Sequence, residues 1–305
     1  MLRTMDALIE TVQQLSPCTM AVAVAQDEDV LTAVYHAVSL GLIRPLLVGD
    51  QEEILRIAEQ MGLPVRPEDI IHEEDKAAAC MRAAALVRDG QASLLMKGFV
   101  DTSFILKAVL NKENNLKRSS QISHVLALEV PGFDRLFYVT DSAMNIAPTL
   151  EKKVAILQNA VEVAHALGNE LPKVAALCAV EKVNPKMPCT LDAQALAQMN
   201  RDGIITGCLV DGPLALDNAV SEHAAKHKGI ASPVAGNADI LLVPDIEAGN
   251  LLNKSMEYFA HAKKAGVIMG AKAPVVLTSR ASSAQAKLYS IALGVLIAAS
   301  YSEET

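Results

Sequence analysis

Tryptophan is absent from the 305 residues, aromatic residues make up only 3%, and the five cysteines, Cys18, Cys80, Cys178, Cys189 and Cys208, are scattered without a CxxC pair. An odd set of distant thiols provides neither a disulfide framework nor a zinc site and points to a reducing compartment. Positive charge is also scarce: 27 Lys and Arg stand against 35 Asp and Glu, a net −8. Without a basic run the chain lacks the face that displaces counterions from a phosphate backbone, so nucleic acid is excluded as the main partner. Long apolar runs are missing as well. Arg3, Asp6 and Glu10 interrupt the stretch where a signal peptide needs an apolar core. The most apolar segment, Ile291 to Ala299, is about half of the roughly 20 residues a membrane helix requires. A soluble, cytoplasmic protein without a membrane partner is expected. Asn253-Lys254-Ser255 satisfies the glycosylation sequon, which carries little weight without a secretion signal.

The standard motifs are absent too. There is no GxxxxGK[ST] or GxGxxG, which removes the best sequence support for ATP or NAD, and no HExxH or GxSxG, the obvious metalloprotease and α/β-hydrolase marks. What is present is apolar content: 51% hydrophobic residues exclude disorder, and the length permits one large domain or two of about 150 residues.

Short β-branched runs alternate with segments of helical period, the pattern of parallel strands joined by crossover helices, so the class is α/β. Strands are expected at Thr19 to Ala25, Arg44 to Val48, Ser93 to Met96, Val125 to Val130, Leu136 to Thr140, Lys173 to Ala179, Gly207 to Val210, Asp239 to Val243 and Pro274 to Leu277. Helices are expected at Asp27 to Leu40, Gln51 to Met61, Asp75 to Arg88, Leu150 to Leu167 and Ala248 to Lys264. So many strands are divided most sensibly between two domains. Pro148 marks one crossing and the Gly266 to Pro274 stretch marks the return, giving residues 1–145 with 270–305 and residues 146–269, with the last helix packed on the first domain. No fixed-period repeat is visible.

Polar residues just beyond strands stand where open α/β sheets bind ligands. In Leu277-Thr278-Ser279-Arg280-Ala281-Ser282-Ser283, Ser282 or Ser283 fits an N-cap, and the first-turn N–H groups and Arg280 can converge on an anion, with Ser279 donating a hydroxyl. A plain capped helix with a solvated Arg fits the same residues. After the run ending at Val243, Glu247, Asn250 and Lys254 share one helical face, which can line a polar cleft or merely face solvent. In Met96-Lys97-Gly98-Phe99-Val100-Asp101-Thr102-Ser103, Lys97 ends a strand, Asp101 or Thr102 caps the next helix and Lys107 follows on it. Asp211-Gly212-Pro213 reads first as a turn, and Thr140-Asp141-Ser142 is a further polar exit. His124 and His165, within apolar segments, read as satisfied buried imidazoles. His223 and His227 share a face but lack a third ligand, so no metal site is expected.

Taken together, these segments resemble the phosphate acetyltransferase and phosphate butyryltransferase family. The resemblance is carried by Leu94 to Gly98 with Val100 to Ser103, Val139 to Pro148, Asp211 to Asp217, Pro233 to Asp239, Pro244 to Asn250, and Ser279-Arg280. It is strong from about residue 90 to the last helix, and the wording around Lys97-Gly98 and Thr278 to Ala284 is closer to the butyryl branch. The resemblance implies a two-domain architecture shared with isocitrate and isopropylmalate dehydrogenases, with an interdomain cleft, and a homodimer or larger homo-oligomer. It implies the reversible reaction of acyl-CoA and phosphate to acyl phosphate and CoA, with these two as substrates and no cofactor. In the acetyl branch the pair matching Ser279 and Arg280 belongs to the active site together with an Asp seven residues after the Ser. Here that position is Ala286, and Lys107 stands where that branch has a phosphate-binding Arg.

On this basis Arg280 and Lys107, with Lys97, are assigned to phosphate, Ser279 to the carbonyl or thiol in the transition state, and Asn250 and Lys254 to substrate contacts. Two other readings remain open: a metal- and NAD(P)-dependent oxidative decarboxylase of the same architecture, for which only Asp141 and Asp245 are suggestively placed, and a CoA-binding regulatory module without turnover.

Overall fold

The computed structural model describes residues 1–279 and 282–303. In chain order the elements are α1 (Met5–Val12), β1 (Cys18–Ala23), α2 (Glu28–Ser39), β2 (Ile43–Gly49), α3 (Gln51–Met61), β3 (Ile70–His72), α4 (Lys76–Arg88), β4 (Leu94–Lys97) and α5 (Thr102–Leu110). There follow β5 (Ser123–Glu129), β6 (Leu136–Thr140), α6 (Leu150–Ala166), β7 (Lys173–Leu177), α7 (Pro188–Arg201), β8 (Leu209–Leu214), α8 (Leu216–Val220), α9 (Glu222–His227), β9 (Ile240–Leu242) and α10 (Ile246–Tyr258). The chain closes with β10 (Lys263–Met269), β11 (Val275–Val276) and α11 (Ala284–Glu303). It divides into two compact units, Met5–Ser119 with Ala265–Thr305 and Met1–Thr4 with Ser120–Lys264.

In the unit holding both α1 and α11, the strand order is β3-β2-β1-β4-β11-β10. The pairs from β3 to β11 are parallel, and β10 runs antiparallel to β11. Most of these strands are apolar on both faces because helices cover the sheet. An Asp follows several strands and caps the next helix: Asp27 accepts from the Val30 amide at 3.0 Å and Asp75 from Ala78 at 2.8 Å, each satisfying a first-turn donor. The connection β1 to β2 runs to one side of β1, whereas β4 lies on the other. The strand order therefore reverses between β1 and β4, the point at whose carboxyl ends open α/β sheets bind ligands.

The last helix is pinned to this unit. Tyr289 donates to Asp6 Oδ1 of α1 at 2.7 Å, and Ser290 Oγ accepts from the Gly266 amide of β10 at 2.9 Å. Its segment Ala284–Ser302 is long and apolar enough to cross a bilayer, but 67% of it is buried, as in a core helix. The apolar stretch is thus longer than Ile291 to Ala299.

In the other unit the order is β5-β6-β9-β7-β8, with β5 antiparallel to β6 and the remaining pairs parallel. Its core joins Leu126, Leu128, Phe137, Val139, Leu177, Leu214 and Leu241. The boundaries near 119/120 and 264/265 differ from the 145/146 and 269/270 expected. Strand β5 pairs with β6, and β6 with β9, which places residues 123–140 in this sheet.

Four local expectations are corrected. Gly266 is no breaker: it lies inside β10, where its amide meets Ser290, and the helix expected to reach Lys264 ends at Tyr258. Asp211-Gly212-Pro213 is not a turn but the middle of β8, beside a register shift between Ala175 and Leu177. His165 is exposed, its Nε2 lying 2.8 Å from the Gly207 carbonyl oxygen, while His124 is buried as expected.

Candidate active site

The carboxyl edge of the β3-to-β11 sheet gathers several polar exits. Strand β11 pairs with β4 through Val275 to Leu95 and Val276 to Met96, so the segments starting at Lys97 and at Leu277 leave the sheet side by side. One leads to Ser279, which is exposed, and the other to Asp101 at the N-cap of α5. At the β1 exit Val24 has φ 59, a left-handed conformation that strains a β-branched residue by about 1–3 kcal/mol. Its carbonyl accepts from the Phe99 amide at 2.8 Å, and that of Ala23 from Gly98 at 2.8 Å. The turn after β4 is therefore laid directly on the end of β1.

The sequence-assigned residues fare differently at this edge. Lys97 is 5% exposed, and its Nζ donates to the carbonyls of Gly98 at 3.2 Å and Val100 at 2.9 Å. Its charge thus braces the turn that it opens. Lys107 is exposed on α5, its ammonium 5.9 Å from the Phe104 ring centroid. Arg280 lies outside the described residues. Ser283 caps α11, its Oγ accepting from the Ala286 amide at 3.2 Å. Lys287, not among the residues expected from the sequence, is buried just beyond that cap. Its signal was a lone cation inside an apolar run.

The carboxyl edge of the second sheet carries a buried polar cluster. Asp141, 3% exposed, accepts from the amides of Ala143 at 2.9 Å and Met144 at 3.0 Å, and from the Asn145 side chain. Asn145 in turn bonds the Ile122 carbonyl and Gln121. His124 Nδ1 lies 3.2 Å from Ser142 Oγ. Burial pushes the His124 imidazole below its ordinary pKa, against the pull of the Asp141 carboxylate. Gly249 lets α10 settle on this turn, since a Cβ there would stand 2.7 Å from the Asp141 carbonyl oxygen. Asp141 and Asp245 both spend acceptors on backbone amides, Asp245 on Ala248 at 2.8 Å. Among the described residues no group of three or more His, Cys, Asp or Glu side chains is placed to hold a metal ion.

On α10, Asn250 is exposed, whereas Lys254 is bound to Glu257 at 3.0 Å, which also meets Lys264 at 2.6 Å. Burial raises the Glu257 carboxyl, but its two lysines more than reverse this, leaving it below the usual carboxylate range. The pair is unequal: burial of the Lys264 ammonium outweighs its attraction to Glu257, so Lys264 is also shifted down. A carboxyl depressed in the fold contributes stability above its unfolded value of about 4.3 and loses it as pH falls through the lower folded value. Glu257→Gln is therefore expected to lower stability at pH 7 by about 1–2 kcal/mol and to flatten the acid-side decline. Urea midpoints measured from pH 7 to pH 3 check this, and an unchanged acid decline would refute it.

A parallel sheet with a reversal in strand order, an exposed serine at its carboxyl edge and a capped helix beyond belong to the class of open α/β folds that take their ligands at the strand ends. Residues 69–295 match the family described as "Phosphate acetyl/butaryl transferase", and the chain belongs to it. It is 55% identical over 284 residues to a "Probable phosphate butyryltransferase" of Bacillus subtilis, covering 93% of this chain and 94% of that protein. It is 48% identical over 298 residues to a "Phosphate butyryltransferase" of Clostridium acetobutylicum, covering 98% and 99%. The crystal structure of a branched-chain phosphotransacylase from Enterococcus faecalis V583 matches with a TM-score of 0.81 at 38% identity, covering 92% of this chain and 99% of that one.

Proposed function

We propose that this chain is a phosphate acyltransferase that converts acyl-CoA and phosphate reversibly to acyl phosphate and CoA, with butyryl-CoA as the preferred acyl donor. The near full-length identity to phosphate butyryltransferases carries this reading. In the forward direction a phosphate oxygen attacks the thioester carbonyl carbon, the carbonyl oxygen takes up negative charge, and collapse of the tetrahedral species breaks the C–S bond and releases CoA as thiolate. Phosphate is already anionic at neutral pH, so positioning and charge neutralisation matter more than a base. A thiolate leaving group, like Cys with a pKa near 8.5, departs partly unprotonated. This chemistry tolerates Ala286 where the acetyl branch has a carboxylate.

We assign Arg280 and Lys107 to phosphate and Ser279 to the carbonyl or the departing thiol. Lys97, bonded to the carbonyls of Gly98 and Val100, contributes by shaping the phosphate-side turn and as a nearby charge. Asn250 is assigned to CoA or phosphate contacts. Lys254, already paired with Glu257, adds a weaker charge to such contacts. No cofactor beyond the two substrates is included. A cytoplasmic location rests on the dispersed free thiols. A homodimer or larger assembly is supported by exposed Leu251, Tyr258 and Phe259, the last 85% exposed, along and just beyond α10. Light scattering reading a monomer at micromolar concentration would remove that assignment.

Initial rates of thiol release from acetyl-, propionyl-, butyryl- and valeryl-CoA at fixed phosphate test the whole reading. The expected optimum is butyryl-CoA. One methylene is worth only about 1–3 kcal/mol in a pocket, so neighbours should turn over more slowly rather than not at all. Rates should survive EDTA. No phosphate-dependent release would favour a binding module, and EDTA-sensitive NAD(P) reduction would favour the decarboxylase.

A further inference from the structure

Lys287 is 3% exposed and lies in the first turn of α11. A cation is disfavoured there twice: burial strips its hydration, and the helix N-terminus repels positive charge. A methionine of similar length would fill the space at lower cost. What the ammonium does explains its retention. Its Nζ donates to the carbonyl of Ser282, itself 3% exposed, and lies 3.6 Å from Asp29 Oδ2 in the first turn of α2. The Ser282 amide then donates to the carbonyl of Ser279 at 3.0 Å. Two hydrogen bonds through one residue thus connect the buried ammonium to the backbone of Ser279. The lysine's own amide bonds the Ser283 carbonyl at 3.1 Å, and Tyr289 and Ser290 lock the following turn to α1 and β10. The anchor is therefore fixed to the body of the unit.

We propose that Lys287 is a positioning residue, whose bond to the Ser282 carbonyl holds Ser282, and through the Ser282 amide the backbone of Ser279, so that Ser279 meets the reacting thioester. This rests on the acyl-transfer reading for its catalytic consequence but not for its structural one. Misplacing a reacting group by about 1 Å costs up to 10²-fold in rate. Replacing the ammonium should therefore lower kcat rather than weaken substrate binding.

The test uses the full-length Lys287→Met and Lys287→Arg proteins in two measurements. In the thiol-release assay, normalised to folded protein, Lys287→Met is expected to lose about 10-fold or more in kcat while KM for acyl-CoA changes less than about threefold. Lys287→Arg, which keeps the charge and a donor, is expected to recover part of the loss. In hydrogen exchange, the amide of Ser282 should exchange about 10-fold faster in Lys287→Met than in wild type. Unchanged kcat per folded molecule, or arginine no better than methionine, would overturn the positioning role, as would unchanged exchange. If the wild type releases no thiol, the acyl-transfer reading fails, and the exchange result alone decides whether Lys287 holds the segment. Should Lys287→Met fail to fold, Asp29→Asn, on a side chain 64% exposed, takes its place. It should raise the same exchange and lower kcat about twofold, and no change in either would count against the proposal.

Discussion

Replacing Arg280 by alanine is expected to lower phosphate-dependent thiol release by at least about 10²-fold, the usual loss when one stabiliser of transition-state charge is removed. Arg280 follows Ser279, which leaves the carboxyl edge of the sheet beside the segment opened by Lys97. Lys97 spends bonds on the Gly98 and Val100 carbonyls. Among the residues assigned to phosphate, Arg280 alone offers a planar fork that can bind two oxygens at once. Arg280→Lys retains the charge without the fork and should recover only part of the rate. The loss should appear in kcat and kcat/KM together, as for an interaction made in the transition state. An alanine variant with near-normal turnover would remove this assignment.

Gly98→Ala is expected to cost about 3 kcal/mol or more of stability, at the upper end of what overpacking does. A Cβ at this position would stand 2.1 Å from the Val24 carbonyl oxygen and 2.6 Å from that of Ala23. Both are backbone atoms at the end of β1, so no flexible side chain can give way. Relief would break the bonds from the Gly98 and Phe99 amides to those carbonyls and pull the Lys97 turn away from the β1 exit. Urea unfolding should show a clearly lower midpoint, and acyl transfer by the remaining folded protein should also fall. A variant with the wild-type midpoint would show that the close approach carries no such constraint.

Much of the α/β pattern was legible because buried parallel strands are written as short apolar runs bounded by turn signals. β1, β2, β4 to β7, β9 and β11 overlap such runs, whereas β8 shares only Leu209 and Val210 with the expected Gly207 to Val210, because Asp211-Gly212-Pro213 reads as a turn. β3 is only Ile70–His72 at the sheet edge, too short to stand out. β10 opens on Lys263-Lys264 and contains Gly266, which in sequence resemble a helix end and a breaker. The membership of β5 and β6 depends on pairing with β9, a long-range fact with no local signature. At the candidate site, the serine cap at Ser283 and the exit of Lys97 could be read directly. Sequence does not reveal whether a lysine is satisfied by its own turn, as Lys97 is, or by a neighbouring carboxylate, as Lys254 is by Glu257. Lys287 was hidden for the converse reason: its apolar neighbours made the helix read as a simple core element.

In the proposed reaction phosphate attacks the thioester directly while both substrates are bound. Exchange of labelled CoA into unlabelled butyryl-CoA, followed with and without phosphate, tests it most directly. Exchange is expected only when phosphate is present, because CoA can return to the acyl group only through acyl phosphate. Exchange without phosphate would instead require an acyl group held on the enzyme, and no exchange under either condition would contradict acyl transfer itself.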